Sequence, residues 1–117
     1  MRKIAVIAAS LLFAGSAMAQ DIVGVYTVQG TNPDGTTYAG LAEIVPLSDV
    51  TCEVTWSTGG QETTGICMRY HNAFAAAYPL NEDIGLLIYE ILADGSMQGT
   101  WTIAGSDGVG TELLIPQ

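Results

Sequence analysis

The two cysteines are the residues of this sequence whose spacing points most directly to chemistry. Cys52 and Cys67 bracket the polar stretch EVTWSTGGQETTGI, which has the pair Gly59-Gly60 at its centre. A hairpin turn at these glycines places Cys52 directly opposite Cys67, at a Cα separation of about 4.5–5.5 Å, which lies within disulfide range. A metal site would need more Cys or His ligands, and a redox pair is usually C-x-x-C. The spacing therefore predicts a disulfide across a hairpin, which stabilises a loop of this length by about 3 kcal/mol.

The same register leaves the apolar residues of the hairpin on opposite faces. It puts Val54 and Trp56 on one face, whereas Ile66 and Met68 fall on the other face, among acidic and threonine side chains. A slip of one residue would align the two apolar sets but would separate the cysteines. A β-bulge near Gly65 would reconcile both requirements. The sequence leaves these arrangements open.

Candidates for catalytic chemistry are few. His71 is the only histidine, and it follows Arg69-Tyr70 at the end of a predicted strand, where it begins a turn with Asn72. Nucleophilic catalysis needs a histidine beside Ser or Cys, with a carboxylate to orient it. No serine motif of that kind is present. We therefore expect His71 to be an exposed turn residue, and the protein not to be an enzyme.

The acidic residues carry little specific information about a site. Twelve scattered carboxylates would supply some plausible acid–base pair by chance. The segments Asn81-Glu82-Asp83 and Asn32-Pro33-Asp34-Gly35 offer oxygen ligands for calcium, but they lack the spacing of an EF-hand loop and are ordinary turn compositions. The glycine-rich segment GSDGVG has neither the helix nor the lysine of a phosphate-binding loop. We predict no metal site and no cofactor.

The beginning of the chain predicts export. The basic residues Arg2 and Lys3 precede an apolar run and the cleavage pattern Ala17-Met18-Ala19, which together indicate a signal peptide at residues 1–19. This leaves a single domain over residues 20–117, with a periplasmic or secreted location. The leader is too short for a membrane span, which takes about 20 apolar residues. No other apolar run approaches that length, so we predict no membrane span.

Charge restricts the partners of the exported chain. Residues 20–117 carry 12 carboxylates against the single guanidinium of Arg69, a formal charge of −11. Phosphate binding needs clustered Lys and Arg, so nucleic acid is excluded as a partner. A surface of this sign favours a basic protein, a cation or solvent as its neighbour.

Secondary-structure signals predict an all-β domain. Short runs rich in Val, Ile, Thr, Tyr and Trp alternate with turns of Gly, Asn, Asp and Pro. The connections are too short for parallel crossovers, so we predict an eight-stranded antiparallel meander closed into an up-and-down barrel, with a two-sheet sandwich as the alternative. The segment AFAAAY of the fifth strand could also form a short helical turn. The predicted strands are Ile22–Gly30, Thr37–Val45, Val50–Ser57, Glu62–Tyr70, Ala73–Tyr78, Gly85–Ala93, Met97–Ala104 and Gly110–Ile115.

Alternation along these strands predicts the residues that face the barrel interior. Gly24, Gly40 and Gly99 share the interior parity, and glycine within a strand permits a sharp bend or lets a ring lie against the backbone. Strands of about eight residues enclose little volume, so large rings could fill it. The predicted interior, ligand-facing residues are Tyr26, Tyr38, Trp56, Tyr89 and Trp101.

Four motifs, each present once, are spread along nearly the whole exported chain. They are G-x-Y-x-V-x-G with Y-x-G (Gly24, Tyr26, Val28, Gly30, Tyr38, Gly40), V-x-W-x-x-G-G-Q (Val54 to Gln61), D-G…G-x-W (Asp94 to Trp101) and G-T-E (Gly110 to Glu112). This set resembles a family of small exported alphaproteobacterial β proteins that often carry the label hypothetical or fibronectin-binding protein. The resemblance implies a shared fold, and it implies matrix binding by label only. It supplies no catalytic residues.

These features predict an exported, non-catalytic β-barrel with a binding or structural role. Two binding modes stay open. In one, the acidic surface docks a basic protein, which strong salt dependence would reveal. In the other, the barrel holds a small apolar ligand in the manner of lipocalins.

Overall fold

Eight runs of alternating buried and exposed residues form the strands of a closed β-barrel. The computed structural model describes residues 22–117, and the leader predicted at residues 1–19 lies outside the described residues. The strands are β1 (Gly24–Thr31), β2 (Thr37–Pro46), β3 (Thr51–Thr58), β4 (Gln61–Tyr70), β5 (Ala73–Leu80), β6 (Asp83–Ile91), β7 (Met97–Ile103) and β8 (Gly110–Pro116).

The strands follow one another around the barrel in chain order. Each pairs antiparallel with its neighbour in sequence, and β8 returns to pair with β1 from Thr31↔Thr111 to Tyr26↔Pro116. This closure confirms the up-and-down barrel and rules out the two-sheet sandwich. The AFAAAY segment is part of β5 and not a helical turn. Across residues 22–117, no helix is long and apolar enough to span a membrane.

The cysteine hairpin has the register that a turn centred on Gly59-Gly60 requires. Gly59 and Gly60 adopt φ of 59° and 79°, the left-handed conformation that a tight hairpin turn requires. Cys52 lies directly opposite Cys67, and the two form a disulfide with a Cα separation of 5.0 Å. The β3–β4 ladder pairs residue with residue from end to end, so the one-residue slip and the bulge near Gly65 are both wrong.

This register places apolar side chains of β4 on the outside of the barrel. They continue across β5 and β6 in two cross-strand rows, which we call the outer apolar strip. The alanines of β5 form its floor, because the larger side chains of β4 and β6 flank them. The rows are Ile66–Ala77–Leu86 and Met68–Ala75–Ile88.

The barrel interior has a packed half and an open half. The packed half adjoins Ile22 and the β2–β3, β4–β5 and β6–β7 turns, and Phe74 stacks on Tyr89 there with ring centroids 5.6 Å apart. The hydroxyl of Tyr26 donates to the Ile22 carbonyl at 2.7 Å, which ties the incoming chain to this end. The β1–β2, β3–β4, β5–β6 and β7–β8 turns surround the opposite end, which we call the mouth.

Candidate functional site

The mouth end of the barrel contains a cavity of about 270 Å³, the mouth cavity. Pockets for small molecules usually measure roughly 300–1,000 Å³, so this one suits a small ligand. Neutral residues of the turns and strand ends surround its opening, among them Asn32, Thr58, Gln61, Thr63 and Leu80. Four aromatic side chains and one carboxylate form its inner lining, namely Tyr38, Trp56, Tyr78, Trp101 and Glu112.

Glu112 lies where the mouth cavity meets the packed half, and only 8% of the residue is exposed. Its Oε2 accepts a hydrogen bond of 2.7 Å from the Tyr38 hydroxyl. Its Oε1 accepts from Trp56 Nε1 at 3.1 Å and from the Tyr89 hydroxyl in a short contact. Burial of a carboxylate is costly unless hydrogen bonds and an opposite charge compensate for it. Here three neutral donors supply the hydrogen bonds without supplying a charge.

The surroundings of Glu112 also hold the tyrosines in their neutral form. Burial raises the pKa of Tyr89 well above its ordinary value of 10.0, and the charge of Glu112 raises that pKa further. Burial and then Glu112 likewise raise the pKa of Tyr38 and that of Tyr78. The three hydroxyls therefore keep their protons at neutral pH, and those of Tyr38 and Tyr89 remain donors to the carboxylate.

No cationic side chain of the described barrel faces the mouth cavity. Between residues 22 and 117 the only Lys or Arg is Arg69, on β4 next to the β4–β5 turn at the packed end. Its Nε donates to the His71 carbonyl at 2.6 Å. The negative charge of Glu112 is therefore not balanced by a neighbouring basic residue of the described chain.

Three cavity rings lie over glycines in the adjacent strand. A Cβ at any of these glycines would overlap the ring. Alternation predicted this role for in-strand glycine at Gly24, Gly40 and Gly99, which are other positions. Gly40 and Gly99 instead approach the backbone of a neighbouring strand, and Gly24 has no such contact. The cross-strand pairs are Gly30 with Tyr38, Gly85 with Tyr78 and Gly110 with Trp101.

All five predicted interior residues face inward, but they occupy three different places. Tyr38, Trp56 and Trp101 line the mouth cavity. Tyr89 lies beneath it, bonded to Glu112, and Tyr26 lies at the packed end, bonded to Ile22. The five side chains therefore all lie inside the barrel, but only three of them line the mouth cavity.

Two residues of the site, Tyr78 and Glu112, were not predicted from the sequence. Tyr78 follows three alanines, whose small side chains give little indication of which face is buried. Glu112 shares its parity with Gly110 and Leu114, both of which are buried, and that alternation was the available signal. The adjacent Leu113 obscured it, because an apolar residue on either face leaves the parity ambiguous.

One polar atom of the described cavity lining lies near the Tyr38 hydroxyl without the geometry of a hydrogen bond. The indole N–H of Trp101 is buried and makes no hydrogen bond with any residue of the described barrel. Its ring meets that of Tyr38 edge-to-face, with centroids 6.4 Å apart, and Trp56 meets Tyr78 at 5.3 Å. The cavity thus has two pairs of rings around Glu112 and one spare donor.

A larger concavity of about 720 Å³ lies on the outside, over the outer apolar strip. It is an open groove lined mainly by aliphatic residues, with three threonines, Cys67 and Trp101 among the rest. Small-molecule sites combine an apolar wall with a few converging polar groups that fix orientation. Of these two spaces in the described barrel, the mouth cavity has converging charged and polar groups, so we assign the candidate site to it and not to the groove.

The residues considered for metal or acid–base chemistry lie elsewhere. Asp34 accepts from the backbone and hydroxyl of Thr36, which lower the pKa of its carboxyl and close the β1–β2 turn. His71 is exposed in the β4–β5 turn, as predicted, at the packed end of the barrel. Within residues 22–117, no three His, Cys, Asp or Glu side chains group closely enough to hold a metal ion.

Comparison with known proteins identifies the architecture only. No protein-family model and no curated protein matches the chain. Among solved structures, it is similar to EF1p2_mFAP2b bound to DFHBI, with a TM-score of 0.67, 18% identity, and coverage of 87% of this chain and 98% of that one. It is also similar to the redesigned β-barrel b11L5F_LGL, with a TM-score of 0.65, 22% identity, and coverage of 86% and 95%. A third is a de novo designed fluorescence-activating β-barrel, with a TM-score of 0.65, 17% identity, and coverage of 85% and 96%. These likenesses show the fold.

Proposed function

We propose that this protein binds a small molecule in its mouth cavity and does not transform it. The observation that carries the proposal is the arrangement of four aromatic rings around the buried carboxylate of Glu112, in a cavity open at one end of a closed barrel. The packed half beneath it holds these side chains in place. Such convergence of apolar walls on a few polar groups is the usual form of a binding site.

The similar solved structures support a barrel of this size as a container for ligands. EF1p2_mFAP2b matches 87% of this chain and is bound to DFHBI. The lining here differs from a purely apolar interior, because Glu112 and the tyrosine hydroxyls make it polar at its inner end. We therefore favour a polar or charged ligand over the wholly apolar ligand that a lipocalin-like barrel suggests.

The groups that the cavity contains support a non-catalytic role. Among the described residues, its lining includes one carboxylate and no His, Cys or Lys. Both oxygens of that carboxylate already accept hydrogen bonds from protein donors. Nucleophilic and general acid–base catalysis need a reactive group with a second group to activate or orient it. The titratable hydrogen-bonded pair in the described lining is Glu112 with Tyr38, and the Tyr38 hydroxyl keeps its proton because burial and Glu112 raise its pKa.

We further propose that the protein is exported and works in an oxidising compartment. The disulfide Cys52–Cys67 supports this, because disulfides persist outside the reducing cytoplasm. The leader predicted at residues 1–19 and the resemblance to small exported proteins agree with it. Fibronectin binding, which the label of those proteins implies, has no residues in this chain to which it can be assigned.

Two adjacent threonines provide the test of cavity binding. Thr63 lines the mouth cavity, whereas Thr64 is exposed and bonds to Thr55 outside the barrel. A panel of small cationic, neutral and anionic compounds, with DFHBI among them, would be screened by the fluorescence of Trp56 and Trp101. We expect saturable binding in the wild type and in Thr64→Phe, and its loss in Thr63→Phe, which fills the opening. Either no binding from the panel or equal binding in both variants would refute the proposal.

The acidic surface supports a second candidate function, docking of a basic protein. Glu43, Glu53 and Glu90 all point outward from strands, and only Arg69 opposes the acids of the described barrel. Charge of one sign accelerates association with an oppositely charged partner and makes it sensitive to salt. Retention on immobilised lysozyme, taken as a generic basic protein, should fall steeply with salt and in the triple variant with these residues changed to Gln. Salt-independent retention would count against docking.

A further inference from the structure

We propose that the ligand of the mouth cavity is a small organic cation with a methylated ammonium head group. This inference rests on the proposed binding function and narrows it to one chemical class. It depends on three observations that concern different groups: the uncompensated carboxylate, the rings around it, and the absence of any competing cation in the described barrel.

The first observation is the charge of Glu112. The residue is 8% exposed, and its three hydrogen-bond partners are all neutral. Buried carboxylates are normally paired with a cation as well as hydrogen-bonded. The one basic side chain of residues 22–117 lies at the packed end, bonded to the chain at His71. A cation in the mouth cavity would complete the pairing that the described chain leaves incomplete.

The second observation is the composition of the wall. Tyr38, Trp56, Tyr78 and Trp101 all line a space of about 270 Å³. An aromatic face attracts a cation placed within about 6 Å of its centroid, and Trp and Tyr do so most strongly. Several such rings around one carboxylate suit an alkylated ammonium, because its methyl groups pack on the rings while its charge faces Glu112.

The third observation concerns the opening and the field outside it. The residues around the opening are neutral, so no basic side chain of the described barrel repels an approaching cation. The acidic surface attracts cations from solution.

The buried indole N–H of Trp101 makes no hydrogen bond with the described residues, and it would donate to an oxygen on the ligand, such as a hydroxyl. A metal ion fits less well, since no second carboxylate or histidine joins Glu112 in the cavity as the structure describes it.

Choline and neohexanol form a matched pair of probes for this inference. In neohexanol, carbon replaces the ammonium nitrogen of choline, so the two differ in charge but hardly in shape. Trp56 and Trp101 are the only tryptophans, and both line the cavity. Because Trp101 also lines the outer groove, a fluorescence response counts as cavity binding only if Thr63→Phe abolishes it. We expect choline to bind the wild type at least about tenfold more tightly than neohexanol.

Two variants test which groups provide the preference. Glu112→Gln keeps the shape of the side chain and removes its charge, so choline should lose about tenfold in affinity while neohexanol changes little. The control is Glu90→Gln, on the outer face of β6, which should bind as the wild type does. Tyr78→Leu removes a ring that makes none of the hydrogen bonds to Glu112, so it keeps the test informative if Glu112→Gln fails to fold.

The outcomes separate this inference from the proposed function. Equal affinity for choline and neohexanol, no response to choline, or full choline binding in Glu112→Gln would each overturn the cation inference. Neutral or anionic compounds that bind in a Thr63-dependent way would still support cavity binding. If no compound of the panel binds, both proposals fail.

Discussion

At the scale of single residues, Glu112 is a buried carboxylate whose cost is offset by three hydrogen bonds. Replacing such a group together with all its partners by apolar side chains often stabilises a protein, whereas replacing the carboxylate alone leaves its buried donors unpaired. Glu112 nevertheless occupies a position whose neighbours in β8, Gly110 and Leu114, are buried as well. The same residue organises Tyr38, Trp56 and Tyr89 around one point. A polar group that breaks the local pattern in this way usually marks a functional position.

Loss of the acceptor at position 112 should destabilise the barrel. In Glu112→Leu the buried donors of Trp56 and Tyr89 lose their partner, at about 1–3 kcal/mol each. We therefore expect the free energy of unfolding to fall by at least about 2 kcal/mol, even after relief of the buried charge. Glu112→Gln keeps an acceptor oxygen and should lose less. Urea unfolding followed by tryptophan fluorescence measures both, and a Leu variant as stable as the wild type would show that these hydrogen bonds contribute little.

Tyr89 should make the barrel sensitive to alkali. Its pKa in the folded state is raised by burial and by Glu112, whereas in the unfolded chain it titrates near 10.0. Above that pH the unfolded state therefore binds fewer protons than the folded state, so stability falls as pH rises. The slope due to this one group approaches about 1.4 kcal/mol per pH unit. Stability below the unfolded pKa is unaffected by this linkage.

The matching variant is Tyr89→Phe, which has no hydroxyl to titrate. It should be less stable than the wild type at neutral pH, because Glu112 loses a donor, but its stability should decline less steeply above pH 10.0. Urea unfolding at a series of pH values gives both slopes. Parallel declines for the two proteins would contradict the assignment of this effect to Tyr89.

At the scale of strands, the β3–β4 hairpin depends on a covalent link as well as on its ladder. The disulfide closes a loop with a sequence separation of 15 residues, and both cysteines are buried. Reduction should lower the free energy of unfolding by about 3 kcal/mol, chiefly because the unfolded chain gains freedom. Equilibrium unfolding with and without reductant measures this difference. In Cys52→Ala/Cys67→Ala, reductant should have no effect, and any remaining effect would exclude the disulfide as its cause.

The cross-strand pair of Tyr78 on β5 and Gly85 on β6 gives a second prediction at the scale of strands. A Cβ at Gly85 would overlap the Tyr78 ring, so Gly85→Ala should cost about 1–3 kcal/mol, as overpacking does elsewhere. In a Tyr78→Ala background the obstruction is gone, and the same substitution should cost almost nothing. A double-mutant cycle gives this coupling energy. If Gly85→Ala costs the same in both backgrounds, the ring does not determine the need for glycine.

Strand positions were predictable from local sequence, whereas the register of the cysteine hairpin and the polar centre of the site were not. Turn glycines and alternation locate all eight strands, but the β3–β4 register stayed open because the turn at Gly59-Gly60 and the apolar faces favoured different alignments. The face of β4 was harder to assign, because Ile66 and Met68 look like core residues but lie on the outside. Glu112 gains its role from donors on β2, β3 and β6, which only closure of the barrel brings together.

At the scale of the whole molecule, charge of one sign opposes the compact state. Residues 20–117 carry a formal charge of −11, and most of the acids are exposed. Mutual repulsion destabilises a folded protein with such an excess, and salt screens that repulsion over about 8–10 Å at physiological ionic strength. We expect the Tm to rise as sodium chloride is added at low concentration. The triple variant Glu43→Gln/Glu53→Gln/Glu90→Gln should have a higher Tm than the wild type at low salt. Its Tm should also rise less as sodium chloride is added.

Choline chloride at equal ionic strength separates screening from binding. Both salts screen the surface acids alike, whereas a ligand that binds only the folded barrel adds stability in proportion to the logarithm of its concentration over Kd. The wild type should therefore melt higher in choline chloride than in sodium chloride, and Glu112→Gln should melt at the same temperature in both. If Glu112→Gln still melts at a higher temperature in choline chloride than in sodium chloride, the extra stability comes from choline at the acidic surface. If this difference in Tm disappears in Glu112→Gln, the extra stability comes from choline bound at Glu112, the one carboxylate that the described chain buries without a countercharge.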